Sequence, residues 1–561
     1  MTISRFSKAA CLALLFATSS TLAFAGVGSS NTATADPPVP HPNTRPCKVV
    51  LFKHQRFADF NAKPFSYTPP AACPAPWAKV ILVGDFSVTA GIQYDRTANI
   101  WLGSANIYFG TSSEPDPSDA RHWQIQRDLT DYSSIFTTAQ GGTADIGNLV
   151  NKTYTGVIFG TVTMEFYPPS PKAPAPVTAD QVIAFSGGPT GGTVALDTTG
   201  QCCQPSLAQT LTLPTNIQRA YLDVFAQSQN YDEFWYTCVP NDVSGELESC
   251  PNTAFRESEI TIDGTPAGVA PVYPWIYTGG IDPYLWFPIP GVQTLNFVPY
   301  RVDLTPFAAM LDDGNQHTIS MSVYNADDYF SATASLLLYL DHGSTQLTGA
   351  VTQNTLTAPS PTITEKVHAS RNGNVGGTVK TASAHDFTIS GYVNTSAGTV
   401  TTTLAQNIDF SNLQKFTING DTYEQDITQG TNIDSTTTVV DSAGTHVNDV
   451  STGWPMSMDI VLLFNPDGSG TQTTTVNQNY SVQAKGTLNG NVVSFSVLNN
   501  SVTPTDALEF NSSFQITGNE NQSSAQNYYD YDISGYCYSK SLTAANNILT
   551  SISSGQGCTK K

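Results

Sequence analysis

The stretch Gly91-Ile92-Gln93-Tyr94-Asp95-Arg96-Thr97-Ala98-Asn99-Ile100-Trp101-Leu102-Gly103 decides the reading of this chain. Its alternation predicts a β-strand, with Ala98, Ile100 and Leu102 on one face and Asp95, Thr97, Asn99 and Trp101 on the other. A carboxylate sharing an open strand face with an indole suits a carbohydrate. The flat ring can stack on the C–H face of a sugar while the acid moves a proton. The competing reading is a surface Asp–Arg pair beside a half-buried Trp.

The same punctuation continues outward. From Cys47 to Pro169, short apolar runs such as Val80 to Val83, Ile100 to Phe109 and Tyr154 to Tyr167 alternate with Gly, Pro and Asp turns. Helical periodicity is nearly missing. Pro168, Pro169, Pro171, Pro174 and Pro176 then mark a connector. A second block, 177–347, repeats the pattern with Gln218 to Ala226, Glu259 to Asp263, His317 to Tyr324 and Leu336 to Leu340. Many short strands with frequent turns predict an all-β fold of antiparallel sandwiches or jelly rolls. A third block, 348–561, is crowded with Thr, Ser, Asn and Gly, as in Thr399-Val400-Thr401-Thr402-Thr403. Apolar runs such as Ile460 to Phe464 favour a β-rich accessory domain there over disorder.

The first residues read as a secretory signal over 1–25. Arg5 and Lys8 form the basic end, Ala9 to Phe16 the apolar run, and Ala23-Phe24-Ala25 a small-x-small cleavage site. Residues 26–46, rich in Pro, Thr, Asn and Ser, read as a flexible leader. A secreted or periplasmic protein, free of the membrane after cleavage, is the expectation. Eight of the nine cysteines lie beyond the signal, an even number that suits disulfides in an oxidising compartment. Sequence does not fix their partners. Short loops suggest Cys47–Cys73, Cys238–Cys250 and Cys537–Cys558, with Cys202-Cys203 left as a vicinal pair or bonded elsewhere. Neither CxxC pairs nor HExxH occur, so no metal is expected. With Lys plus Arg at 24 and Asp plus Glu at 45, the formal charge of −21 argues against a nucleic-acid partner.

No GxSxG elbow, phosphate loop or dinucleotide fingerprint stands in a convincing setting. Carboxylates beside aromatics carry the candidate chemistry instead. Asn230-Tyr231-Asp232-Glu233-Phe234-Trp235-Tyr236 puts two acids among four aromatics, where an aromatic core strand with solvated acids is the alternative. In Ala254-Phe255-Arg256-Glu257, Arg256 could bind a sugar or carbonyl oxygen and Glu257 could be a second acid; an ordinary surface pair is the alternative. The loop from Trp275 to Trp286 is aromatic and glycine-containing, as in sugar clefts, although loop aromatics also plug gaps between sheets.

Asp95-Arg96-Thr97-Ala98-Asn99-Ile100-Trp101-Leu102-Gly103 resembles the DRxAxIWLGG-type segment of the acid-active, plant-type peptide N-glycosidases, the A type. The likeness continues through Thr111-Ser112-Ser113-Glu114-Pro115, Trp123 to Tyr132, and Gly147-Asn148-Leu149-Val150 with Thr153-Tyr154-Thr155-Gly156-Val157. It resumes at Asp232-Glu233-Phe234-Trp235-Tyr236, Phe255-Arg256-Glu257 and Gly279-Gly280-Ile281, covering roughly residues 45 to 342. An exported bacterial member of that family is expected. The Asp-Arg-x-Ala-Asn core also matches the WDRYANVYV segment of the distant F-type peptide N-glycosidase. The likeness implies that Asp95 is the essential acid and Arg96 binds substrate. The F-type CAEWCFR segment, laid on Cys250 and Phe255-Arg256, puts Asn252 where its catalytic glutamate stands. Glu233 is therefore favoured as the second acid, with Glu257 the other candidate.

The F-type likeness implies two packed eight-stranded jelly rolls, 47–169 and 177–347, as the catalytic module. The two likenesses together imply hydrolysis of the amide between the innermost N-acetylglucosamine and asparagine in N-glycosylated peptides and proteins without a cofactor, and the A-type likeness implies acidic pH. Asp95, Glu233 and Glu257 are then the catalytic candidates. Arg96, Asp232 and Arg256 would orient the substrate, and Trp101, Trp235 and Trp286 would serve as sugar platforms. A monomer is expected. The alternatives are an exported carbohydrate-binding or adhesion protein, and an endoglycosidase cutting within the chitobiose core.

Overall fold

The structure, a computed structural model, describes residues 25–200 and 202–558. The signal segment, apart from Ala25, lies outside the described residues. Strands dominate throughout, as the punctuation predicts.

The first sandwich has eight strands. One sheet orders Cys47–Phe57, Ile158–Tyr167, Lys79–Val88 and Arg121–Asp128 side by side; the other orders Lys63–Tyr67, Gln140–Ile146, Thr97–Leu102 and Ala105–Thr111. Alternate residues fill the space between them, with Trp77, Leu82, Phe86, Ile100, Tyr108 and Phe166 at the centre. The second sandwich has nine strands. Leu207–Thr212, Gln316–Tyr324, Glu257–Ile262 and Thr265–Pro271 form one sheet, and Val194–Leu196, Tyr329–Leu340, Ile217–Gln229 and Tyr300–Asp303 the other. The ninth, Gln181–Phe185, shares an edge with Val194–Leu196: the two short strands pair with successive halves of Tyr329–Leu340. Together they occupy the place of one long edge strand.

The sandwiches pack so that the hairpin of Thr97–Leu102 and Ala105–Thr111 is covered on both sides. Phe109 lies 5.4 Å from Phe225 and 5.2 Å from Phe297, ring centre to ring centre. The Tyr108 hydroxyl donates to the Leu295 carbonyl at 2.5 Å. This corrects the open polar face expected for the strand. Asn99 and Trp101 are buried because the second sandwich sits on them. Gly191 presses on the Trp101 indole so closely that a Cβ there would be 2.4 Å from it.

Twelve antiparallel strands from Thr348 to Ser554 form one further sheet. Its Thr- and Asn-rich strands alternate, and the inward set, including Phe387, Ile408, Phe410, Met456, Val476 and Val502, joins the core of the second sandwich. Residues 26–46 are not a loose leader. Gly28 N–H donates to the Leu549 carbonyl at 2.8 Å, Ala33 N–H to Pro288 at 2.9 Å, and Ala35 N–H to Gln526 Oε1 at 2.6 Å. Composition suggested flexibility, but these walls supply partners for an extended backbone and bury Ala33 and Ala35. The disulfides are Cys47–Cys73, Cys202–Cys203, Cys238–Cys250 and Cys537–Cys558. No helix among the described residues is long and apolar enough to cross a membrane.

Candidate active site

The hairpin register sets the geometry. Thr97 pairs with Thr111, so the chain before the first strand and the chain after the second leave at the same end. Asp95 and Arg96 therefore sit just ahead of the strand rather than on it, and Glu114 emerges beside them. Two bonds prolong the ladder: Arg96 N–H donates to Ser112 Oγ at 2.8 Å, and Ser112 N–H to the Arg96 carbonyl at 2.8 Å.

The second sandwich closes on this end with the loop after Thr265–Pro271. Thr278 Oγ1 donates to the Ser112 carbonyl at 3.0 Å and accepts from Glu114 N–H at 3.2 Å. That seats Gly279 against both acids. A Cβ built there would lie 2.5 Å from Glu114 Oε2 and 2.8 Å from Asp95 Oδ1, so the two oxygens are separated by no more than the sum of those distances. Gly279 N–H also donates to the Asp95 carboxylate. Only a residue without a side chain allows this approach.

Glu233 comes from the other wall, just after the short 3₁₀ turn Asn230–Asp232 at the end of the strand Ile217–Gln229. Burial, then the charge of Asp95, push its carboxyl up to about 7. Burial raises Asp95 to about 6, against the opposing pull of Arg96. Glu114 rises to about 8 through burial and then the Asp95 charge, with Arg96 again opposing. Three carboxyls of graded basicity thus meet at the seam of the two sandwiches. Glu114 Oε2 and Arg96 Nε are buried without a partner, while Arg96 Nη2 donates to Gln93 Oε1 at 2.7 Å.

The other sequence candidates lie elsewhere. Glu257 is buried between the second sandwich and the C-terminal sheet, 3.3 Å from His385 Nε2, and Asp95 is not among the charges acting on it. Asp232 and Arg256 are structural. Asp232 accepts from Arg256 Nε at 3.0 Å and Nη2 at 2.8 Å, and from the N–H groups of Asp327 at 2.9 Å and Asp328 at 2.8 Å. Arg256 Nη1 is used up on the carbonyls of Asn252, Thr253 and Phe255. That network fixes the turn presenting Glu233 and leaves the guanidinium nothing for a substrate. Trp101, Trp235 and Trp286 are each 1% exposed, so none is a platform. Trp235 packs on Phe410 of the C-terminal sheet, and Trp286 Nε1 donates to the Gly280 carbonyl at 2.9 Å.

Two exposed rings adjoin the acids in the chain, Tyr94 next to Asp95 and beside Tyr154 at 5.4 Å, and Tyr231 next to Asp232; both lie in motifs read from sequence, but the buried tryptophans were expected as the platforms instead. Glu114 and Gly279 were quoted within the likeness but not weighed. The antiparallel hairpin that puts Asp95 beside Glu114 was the available signal. Among the described residues, no group of three or more His, Cys, Asp or Glu could hold a metal ion.

Residues 37–357 match the family described as peptide N-acetyl-beta-D-glucosaminyl asparaginase amidase A. A relative from Prunus dulcis, peptide-N4-(N-acetyl-beta-glucosaminyl)asparagine amidase A, is 26% identical over 542 residues, covering 93% of this chain and 92% of that protein. PNGase F, a glycosylasparaginase from Flavobacterium meningosepticum, is similar at 14% identity and a TM-score of 0.35, over 53% of this chain and 96% of its own. PNGF-II is similar at 12% identity and a TM-score of 0.36, over 53% of this chain and 66% of its own. With the family match spanning more than half its length, this chain belongs to the peptide N-acetyl-beta-D-glucosaminyl asparaginase amidase A family.

Proposed function

We propose that the chain hydrolyses the amide joining the innermost N-acetylglucosamine of an N-glycan to asparagine in glycopeptides and glycoproteins. The products are aspartate in the peptide and a glycosylamine, which then loses ammonia. The observation that carries this reading is the meeting of Asp95 and Glu114 at Gly279, with Glu233 close enough to feel the charge of Asp95, in a chain of this family.

The bond is an amide, so the spacing rules for paired acids at an acetal do not apply. Asp95, the most acidic of the three, is the group that ionises first and takes the proton from water as it adds to the side-chain carbonyl carbon. Glu233, approaching from the opposite wall and still protonated near pH 6, donates to the departing nitrogen. Glu114 keeps its proton to higher pH and, with Arg96, steadies the oxygen of the tetrahedral intermediate. Their unpartnered Oε2 and Nε supply the polar contacts. The open rings of Tyr94 and Tyr231 take the sugars. This scheme uses only proton transfers between side chains and water. The signal-like first residues support export, and we read the working form as a monomer outside the cytoplasm, acting in mildly acidic surroundings.

The test is Asp95→Asn with circular dichroism to check folding. Loss of general-base action lowers turnover by about 10²- to 10⁴-fold. Mass spectrometry of the peptide distinguishes the reaction from cleavage within the chitobiose core, which leaves one sugar attached, and from mere binding, which leaves the glycan whole. Near-normal glycan release by Asp95→Asn removes Asp95 from the mechanism.

A further inference from the structure

We propose that the C-terminal sheet positions the catalytic loop through a carboxyl–carboxylate hydrogen bond between Asp282 and Asp506. The kinetic part of this inference rests on the function proposed above; the structural part does not.

The loop Tyr277–Asp282 that carries Gly279 is tightly wound: Gly280 N–H donates to the Tyr277 carbonyl at 2.9 Å and Asp282 N–H to Gly280 at 2.7 Å. At its centre Ile281 has a φ of 66°, a left-handed conformation that a β-branched residue adopts only when its surroundings impose it. The imposing contacts come from outside the catalytic module. Gln472 Nε2, on the C-terminal strand Gly470–Leu488, donates to the Ile281 carbonyl at 3.2 Å. The next strand, Asn491–Phe510, brings Asp506 within hydrogen-bonding reach of Asp282.

Both carboxyls are buried, at 0% and 1% exposure. Asp282 Oδ1 accepts from Tyr284 N–H at 2.9 Å, and Asp506 Oδ1 accepts from Asn519 Nδ2 at 2.7 Å. The Oδ2 of each has no partner among the groups that carry a fixed hydrogen. One shared proton satisfies both oxygens; without it two negative charges would face each other away from water. No cation is among the groups acting on Asp506. The titratable groups around the pair are the Tyr284 hydroxyl and, acting on it from the first sandwich, Asp116 and Glu114.

Burial, and then Asp506, push Asp282 up to about 8. Unfolded aspartates lose their protons near 3.8, whereas the folded pair keeps one until about pH 8. Between those values the folded state binds the extra proton, so the stability contributed by the pair falls as pH rises and levels off above that window. At its upper end the loop loses its anchor, Ile281 relaxes, and Gly279 N–H leaves Asp95. Asp282 and Asp506 are therefore positioning residues.

The test is amide hydrogen exchange over residues 275–286 of the intact protein from pH 5 to pH 9, corrected for intrinsic exchange, with kcat and KM measured alongside. In the wild type, protection falls about tenfold or more on passing pH 8. Asp506→Asn keeps it at every pH, because its amide donates to the Asp282 carboxylate, and retains kcat at pH 6. Asp506→Ala loses protection throughout and lowers kcat about tenfold with KM nearly unchanged. Wild-type protection that stays level from pH 6 to pH 9, or that Asp506→Asn loses in step with the wild type, overturns the inference. If no form releases glycan, the exchange data still decide the clasp, and the failure falls on the proposed reaction alone.

Discussion

Gly279→Ala adds one methyl group at the point where the two acids meet. That carbon would stand 2.5 Å from Glu114 Oε2 and 2.8 Å from Asp95 Oδ1, where ordinary contact begins near 3.4 Å. Each oxygen must therefore withdraw by roughly 0.6 to 0.9 Å. Misplacement of reacting groups on that scale costs about 10²-fold in rate, so kcat/KM should fall by about 30- to 100-fold. Stability should barely move. The colliding atoms are the ends of side chains at the seam of the two sandwiches, and Gly279 is outside the left-handed region. The lower entropy of the unfolded alanine chain, worth about 0.4–1 kcal/mol, offsets part of the crowding. The assay is timed glycan release from a glycopeptide, followed by mass spectrometry, with thermal unfolding in parallel. Turnover within about threefold of wild type in a normally folded Gly279→Ala protein would show that the reaction does not occur between Asp95 and Glu114.

Three further outcomes are expected. The pH dependence of kcat/KM should be bell-shaped, rising through about 6 as Asp95 ionises and falling between about 7 and 8 as Glu233 and Glu114 lose their protons; a rate still climbing at pH 9 contradicts the assignments. Glu257→Gln should keep turnover within about threefold, since Glu257 lies apart from Asp95, against His385; a loss of about 10²-fold restores it as a catalytic acid. Its carboxyl is raised from 4.5 to about 8 by burial and then Glu259, so the wild type loses stability as pH climbs through that range. The melting temperature of Glu257→Gln should accordingly improve, relative to wild type, between pH 4.5 and pH 8. Arg256→Met should unfold or strongly destabilise the protein, by about 3–5 kcal/mol, because it strands the buried Asp232 carboxylate; calorimetry showing a change under 1 kcal/mol contradicts the scaffold role.

The β architecture was legible because period-two alternation and turn residues are local signals. So was the strand that follows Asp95 and Arg96 and fixes where the two residues leave the hairpin. What failed were judgements about exposure. Trp101 alternates correctly along its strand, yet the outer face of that strand is covered by another sandwich, and nothing in thirteen consecutive residues reports what packs on them. Asp232 and Arg256 look like site residues because buried ion pairs and catalytic groups draw on the same chemistry; only the saturation of their hydrogen bonds tells them apart. Glu114 was within reach. Pairing the two runs of the hairpin at Thr97 and Thr111 puts it beside Asp95. Gly279 and Glu233 come from a different sandwich, so their approach to Asp95 depends on contacts far apart in sequence.

The segment at residues 26–39 has a consequence for biogenesis. Gly28 and Ser29 bond to Leu549, in the last of the described strands, so these residues find their partners only after a long intervening stretch of chain has been made. During synthesis this ribbon must wait, undocked, while both sandwiches and nearly all of the third sheet take shape, since so distant a pairing closes slowly. A chain that stalls before Leu549 therefore leaves this ribbon unfastened, open to proteases that the docked form excludes.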